Sequence, residues 1–255
     1  NVVVHCGAKP VMVDIDPHTG LMDLDAVRNA MTAKTKAIIP VDLAGLPVDY
    51  KALQAMLKEP EIKSLFQAAC HKQKLLGRPL ILADAAHSLG AELHGESPAL
   101  FADATVFSFH AVTNLTTAEG GAICIHFPTP FENDILYRDL NTGSLHGQSK
   151  DALAKFGKNA WEYDVFEAGY KCNMPDVLAA IGLVEAKRYL SDTLPARKAI
   201  CKRYSELLAP YDWAELPIHE QADRSSSAHL YLLRIKSIDF ETRNRIIQKI
   251  FDADV

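Results

Sequence analysis

Residues 82–121 place side chains of catalytic type at the ends of apolar runs. Asp84 and His87 close Leu-Ala-Asp-Ala-Ala-His, and Ser108 and His110 open Ser-Phe-His-Ala-Val-Thr-Asn-Leu-Thr-Thr-Ala-Glu-Gly-Gly. A serine hydroxyl beside backbone N–H groups at a strand exit is a common way to hold a phosphate. Taken alone, Asp84 would end a strand and cap the turn after it, and His87 would pack. The glycines after Glu119 supply backbone freedom where a chain passes a site. Only the combination points to a binding site.

Competing arrangements carry less. Ser144 and His146 are close in sequence, but no acid partner is evident, so a serine hydrolase has little support. No Gly-x-Gly-x-x-Gly, Walker loop, Cys-x-x-Cys or His-Glu-x-x-His occurs. The aromatics Trp161 and Tyr163 read as packing rather than as stacking platforms.

The elements that must position these residues follow from composition and periodicity. The 255 residues are 48% hydrophobic, enough for a large domain plus part of another. A net charge of -5 with interspersed signs argues against a basic nucleic-acid surface. No apolar run is long enough to span a bilayer. The opening Asn-Val-Val-Val-His-Cys-Gly has no signal-peptide pattern. The five cysteines (Cys6, Cys70, Cys124, Cys172 and Cys201) are scattered, as expected for reduced thiols in a cytoplasmic protein.

Apolar runs alternate with amphipathic stretches, which predicts βαβ units around a mostly parallel sheet with flanking helices. Strands are expected at 10–15, 36–41, 79–83, 105–109 and 122–125, buried on both faces. Asp23 is placed to cap a helix that presents Leu24, Val27 and Met31 on one side. Residues 49–57 and 61–76 read as helical, with Pro60 forcing a break between them. Residues 127–158 are polar and read as a long excursion with little regular structure. Helices are expected from Asp176, with Val177, Ile181 and Val184 on one face, and at 195–208 and 240–251. A strand is expected at 229–235.

The segments around Asp84 and Ser108 resemble the DegT/DnrJ/EryC1/StrS family of sugar aminotransferases, which are pyridoxal-phosphate (PLP) enzymes. Gly-Ala-Lys-Pro-Val-Met-Val-Asp-Ile-Asp-Pro, near the start, and Gly-Tyr-Lys-Cys-Asn-Met-Pro-Asp, before the Asp176 helix, match further family segments in the family's order. The spelling around Lys171 and Asn173 is closest to the 4-amino-4-deoxyarabinose branch. The resemblance implies an α/β fold of the fold-type-I, aspartate-aminotransferase-like class. It also implies a large PLP-binding domain at 1–190, with a linker helix and partial small domain at 191–255. It places Asp84 at the pyridine nitrogen, His87 beside the ring near its phenolic oxygen and Ser108 at the phosphate. Lys171 and Asn173 match residues that reach a neighbouring subunit's cofactor, so a homodimer is expected. His110 belongs to the family spelling. Asp14-x-Asp16 looks like a metal-binding pair, but the family shares it at a strand end, so no metal is expected.

Two departures stand out. The family's Schiff-base lysine precedes the Asn of the second motif, and here that position is Thr113. A threonine has no amine for the cofactor and is no base near neutral pH. PLP, if bound, is therefore expected to be non-covalent. The chain also begins inside what resembles the large domain, without the upstream Ser/Thr-rich turn of the phosphate cup, and stops within the small domain. The expected parent activity is transamination of a nucleotide-linked keto-sugar with an amino-acid donor, by resemblance glutamate. The alternatives are a catalytically silent binder of cofactor or sugar nucleotide, and a lysine-less variant engineered from an active aminotransferase.

Overall fold

The computed structural model describes residues 1–148 and 163–254. In its first half the elements are α1 (Val2–His5), α2 (Leu24–Ala30), β1 (Ala37–Ile38), α3 (Tyr50–Lys58), α4 (Pro60–Leu65), α5 (His71–Leu76) and β2 (Leu80–Asp84). Next come β3 (Glu92–Leu93), β4 (Ala104–Ser108), β5 (Gly121–Ile125), α6 (Asn133–Ser144), α7 (Asp176–Arg188) and α8 (Leu194–Leu208). The last are β6 (Ala214–Glu215), β7 (Arg224–Ser225), β8 (Arg234–Ile235) and α9 (Phe240–Asp252).

The central sheet runs β1-β2-β4-β5, with β1, β2 and β4 parallel and β5 antiparallel to β4. The main core lies on one face, where Ile38, Ile81 and Ala83 cluster with Val27, Leu53, Met56 and Leu57 of the covering helices and with Met31, the residue that follows α2. Local chemistry sets the helix starts. Asp23 accepts hydrogen bonds from the N–H groups of Asp25 and Ala26 at 2.7 and 3.0 Å. Asp49 does the same for Ala52 at 2.9 Å. Both satisfy donors that a helix's first turn leaves unpaired.

Several expected elements differ. Residues 10–15 form no strand; only an isolated bridge joins Ile15 to Met22, and Val11 and Met12 stand exposed. Pro10 has no N–H to offer, and among the described residues no strand pairs with the run. The stretch 61–76 is two short helices, because the chain turns extended at Phe66 and again at Cys70 before α5. Within 127–158 the polar run contains helix α6, anchored where Asn133 exchanges side-chain hydrogen bonds with the N–H and carbonyl of Phe127 at 2.9 and 3.1 Å. Residues 149–158 and Trp161 lie outside the described residues. None of the four strands of the central sheet is buried on both faces: β1, β2 and β4 bury one face, and β5, at the sheet edge, is exposed. Of 229–235, only β8 pairs as a strand, because the N–H groups of His229 and Leu230 are drawn to the carbonyl of Ala44.

An ion pair locks β2 to the start of β4. Arg78 forks onto both carboxylate oxygens of Asp103 at 2.7 Å, and the N–H of Ile81 donates to the same carboxylate at 2.8 Å. The Asp103 side chain is only 3% exposed and that of Arg78 16%. Asp103→Ala would strand a largely buried guanidinium and a buried N–H. The expected loss of unfolding free energy is about 3–5 kcal/mol, read from urea denaturation. An unchanged midpoint and slope would contradict this account of the β2–β4 junction.

Candidate functional site

In open α/β sheets ligands collect outside the carboxyl ends of the parallel strands. Here β2 ends at Asp84 and β4 at Ser108, on neighbouring strands in register at Asp84 and Val106. The Asp84 carboxylate is exposed and makes no ion pair among the described residues; one oxygen accepts from the N–H of Ala86 at 3.2 Å. His87 sits in the next turn, half-buried. Burial pushes its imidazole below the ordinary range, and the charge of Asp84 partly opposes this. Ser108 Oγ accepts from the N–H of His110 at 3.2 Å, which leaves its own proton available to donate.

Thr113 lies in the loop after β4, its hydroxyl turned onto its own backbone. Oγ1 lies 3.0 Å from the carbonyl of Ser108, 2.8 Å from that of His110 and 3.0 Å from that of Leu115. One hydroxyl proton serves these acceptors, so Thr113 closes the loop. His110 points to Glu119, Nδ1 to Oε1 at 3.0 Å. Gly121 brings β5 so close to β4 that a Cβ there would lie 2.7 Å from the Phe107 carbonyl oxygen. Lys171 and Asn173 are exposed and bonded to each other, and no hydrogen bond joins them to Asp84, His87 or Ser108 among the described residues. The structure thus brings Asp84 near His87 and Ser108 near Thr113, and gives Lys171 and Asn173 no hydrogen bond to them among the described residues. Asp16 is occupied in a turn, accepting from the N–H groups of His18 and Thr19.

Beneath this edge lies a polar layer that sequence reasoning missed. Asp42, in the turn after β1, is fully buried. It accepts from Ser88 Oγ at 2.6 Å, from the N–H of Val48 at 2.9 Å and from the Tyr50 hydroxyl at 2.8 Å. Burial pushes its carboxyl up to about 6 against those three bonds, with the charge of Asp84 adding to the rise. Asn114, next to Thr113, donates through Nδ2 to the Ser227 carbonyl at 2.9 Å and to the Tyr189 hydroxyl at 3.1 Å. Its Oδ1 meets Nδ1 of His229 at 2.8 Å. The His229 ring stacks on His87 with centroids 4.1 Å apart. Burial, then His87, then Arg197 push the His229 imidazole down to about 4. Gly45 lets the layer close. Its φ of 93° is left-handed, and a Cβ there would strike Ser227 Oγ. One signal was legible: Asp42, like Asp84, ends an apolar run. Nothing local marked His229.

The set fits PLP at three points: a carboxylate for a protonated ring nitrogen, an imidazole beside it, and a hydroxyl at a strand exit for phosphate. It does not fit covalent attachment at position 113. Among solved structures, Spr1654 of Streptococcus pneumoniae in its PMP form matches with a TM-score of 0.92 and 42% identity, covering 100% of this chain and 63% of that one. It has also been solved in its PLP form. The sugar aminotransferase CalS13 of Micromonospora echinospora matches at 0.78 and 26%, covering 99% of this chain and 61% of that one. This is the fold of the fold-type-I PLP-dependent transferases.

The particular family is decided by sequence. The profile of the DegT/DnrJ/EryC1/StrS aminotransferase family matches residues 1–255, and the chain belongs to that family, which is PLP-dependent. The spore coat polysaccharide biosynthesis protein SpsC of Bacillus subtilis is 33% identical over 237 residues, 92% of this chain and 54% of that protein. The chain spans about half the length of the curated relatives it matches.

The two buried titrating groups act on stability with opposite signs. Folding binds a proton on Asp42 between the ordinary carboxylate range and about 6, so its contribution falls as pH rises through that window. His229 stays neutral when folded. Its contribution is present above the ordinary imidazole range and is lost as pH falls towards about 4. Asp42→Asn removes only the first. Its unfolding free energy, measured in urea across pH, is expected to rise more steeply with pH in that window than the parent's. Parallel curves would show that Asp42 titrates normally.

Proposed function

We propose that this chain carries the cofactor site of a PLP-dependent aminotransferase that transfers an amine from an amino acid, by resemblance glutamate, to a nucleotide-linked keto-sugar. The product would serve a cell-surface polysaccharide, a lipopolysaccharide or an antibiotic sugar. The observation that carries this reading is the grouping of Asp84, His87 and Ser108 at the carboxyl ends of β2 and β4. The spore coat polysaccharide role of SpsC and the sugar aminotransferase CalS13 support a sugar acceptor. Five unpaired cysteines support a cytoplasmic setting. We place the boundary between a large domain, 1–190, and a linker helix with partial small domain, 191–255, at the π turn Tyr189–Thr193.

When bound, PLP supplies an electron sink that works best with its pyridine nitrogen protonated. Asp84 would hold that proton, His87 would donate a hydrogen bond beside the ring, and Ser108 would donate one to the phosphate. Thr113 neither attaches the cofactor nor moves a proton at the substrate carbon, since its hydroxyl is spent on loop carbonyls. Losing such a general acid–base group typically costs ~10²–10⁴ in rate. That hydroxyl geometry also favours the second reading, a binder of cofactor or sugar nucleotide that turns nothing over. An engineered lysine replacement would leave the same geometry.

Dialysis separates the readings. The parent chain is expected to lose PLP on dialysis and to retain none after borohydride. Thr113→Lys is expected to retain it and to aminate keto-sugars with glutamate, and Asp84→Asn in that background to abolish both tight binding and turnover. Borohydride-fixed PLP on the parent would overturn the assignment of position 113. Full activity of the Asp84→Asn, Thr113→Lys chain would overturn that of Asp84.

Lys171 and Asn173 are assigned to a neighbour's cofactor site in a homodimer. Their exposure supports this, as does the uncovered apolar face of Val177, Ile181 and Val184 on α7. Ser108→Ala and Asn173→Ala chains, each with Thr113→Lys, are expected to regain partial activity on mixing, because one composite site per heterodimer carries neither lesion. No recovery with subunit exchange confirmed would mean that each site is built within one chain.

A further inference from the structure

The side of His87 away from Asp84 is built by residues far along the chain, and their hydrogen-bonding roles can be read without ambiguity. The Ser227 carbonyl can only accept, so the Asn114 atom 2.9 Å from it is the amide nitrogen. Asn114 Oδ1 therefore faces Nδ1 of His229, at 2.8 Å, and that nitrogen carries a proton. The neutral His229 ring is fixed in one tautomer. Arg197 holds the same segment from α8, donating to the carbonyls of Ala228 and His229 at 3.2 and 2.7 Å.

This anchored ring lies flat against His87, with centroids 4.1 Å apart and planes inclined by 26°. On the His87 side, the N–H of Ala44 donates to Nδ1 at 3.3 Å. That nitrogen is therefore unprotonated, and the neutral ring carries its proton on Nε2. The turn that supplies the N–H is itself bound to the distant segment, since the Ala44 carbonyl accepts from the N–H of His229 at 3.1 Å and the Gly45 carbonyl from that of Ser227 at 3.0 Å. Stacking on His229 sets the ring plane in which His87 Nδ1 faces the Ala44 N–H, so plane and tautomer are coupled through the side-chain contact of the two rings. No hydrogen-bond partner occupies Nε2 among the described residues.

We propose that His229 is a positioning residue for His87: anchored by Asn114, it holds the His87 imidazole in the plane and tautomer that leave Nε2–H free to donate to a group bound beside Asp84. The proposal rests on the reading of that group as PLP only for its effect on binding. The coupling between the two imidazoles is a property of the chain alone.

The test therefore has one arm without cofactor and one with it. In the cofactor-free protein at neutral pH, imidazole nitrogen NMR is expected to show His87 as a single Nε2–H tautomer. In His229→Leu, which keeps bulk but removes the ring and its donor, both tautomers should appear. In His229→Gln, whose planar amide can still donate to Asn114, the single tautomer should largely return. For the second arm, PLP binding is measured by absorbance in a cycle of His87→Ala, His229→Leu and the double variant. His229→Leu alone is expected to weaken binding about five- to tenfold, the scale of one misaligned hydrogen bond. In the His87→Ala background it should cost nothing further, since a residue acting through another is not additive with it.

An unchanged His87 tautomer in His229→Leu, or losses in PLP affinity that simply add, would overturn the positioning role. If His87→Ala itself leaves PLP affinity unchanged, the placement of His87 beside the cofactor falls, while the tautomer measurement still decides the coupling. Should His229→Leu not fold, His229→Met carries the same comparison.

Discussion

Buried polar groups must find partners, and the space under the carboxyl edge of the sheet is built around that requirement. The turn after β1, the turn after β2, the loop after β4 and the segment around 226–230 all bring backbone N–H groups and carbonyls into it. An unsatisfied buried group costs on the order of 1–3 kcal/mol, more than a marginally stable fold can absorb several times over. Asp42 answers three donors, Asn114 joins three partners, and the Ala44 and Gly45 carbonyls take the N–H groups of the distant segment. Three pieces of chain that leave the central sheet and one that follows β7 are tied into one floor.

That floor explains how an exposed carboxylate and a half-buried imidazole can be held ready for a ligand. Asp84 stays exposed at a strand end, and its backbone is held by residues 40–42 on one side and by β4 on the other. His87 gains its rigidity from contacts that are not its sequence neighbours. The same low-dielectric layer shifts Asp42 up and His229 down, so the two buried titrating groups oppose each other in their pH dependence.

Thr113 shows how position and chemistry can part. The structure places it in the loop after β4, its hydroxyl 3.0 Å from the Ser108 carbonyl. Its short side chain cannot leave the backbone, so its hydroxyl closes the loop among the carbonyls of residues 108, 110 and 115. A lysine would carry its polar atom beyond that shell.

The sequence by itself determined the family, the parallel βα pattern and the helix starts at Asp23 and Asp49, and it drew attention to the stretch from Asp84 to Thr113. Those signals are local: a cap and its N–H groups, or a strand end and the turn after it, lie within a few residues. Tertiary structure alone decided the rest. Residues 10–15 have strand-like composition but make only one isolated bridge, Ile15 to Met22, among the described residues, and 127–158 reads as loop yet contains helix α6. The edge position of β5 exposes a run that looked buried. Asn114 and His229 are 115 residues apart in sequence, and Ser88 and Asp42 46 apart. A hydrogen bond is set by distance and angle in space, and those pairs acquire both only when the sheet brings its loops together.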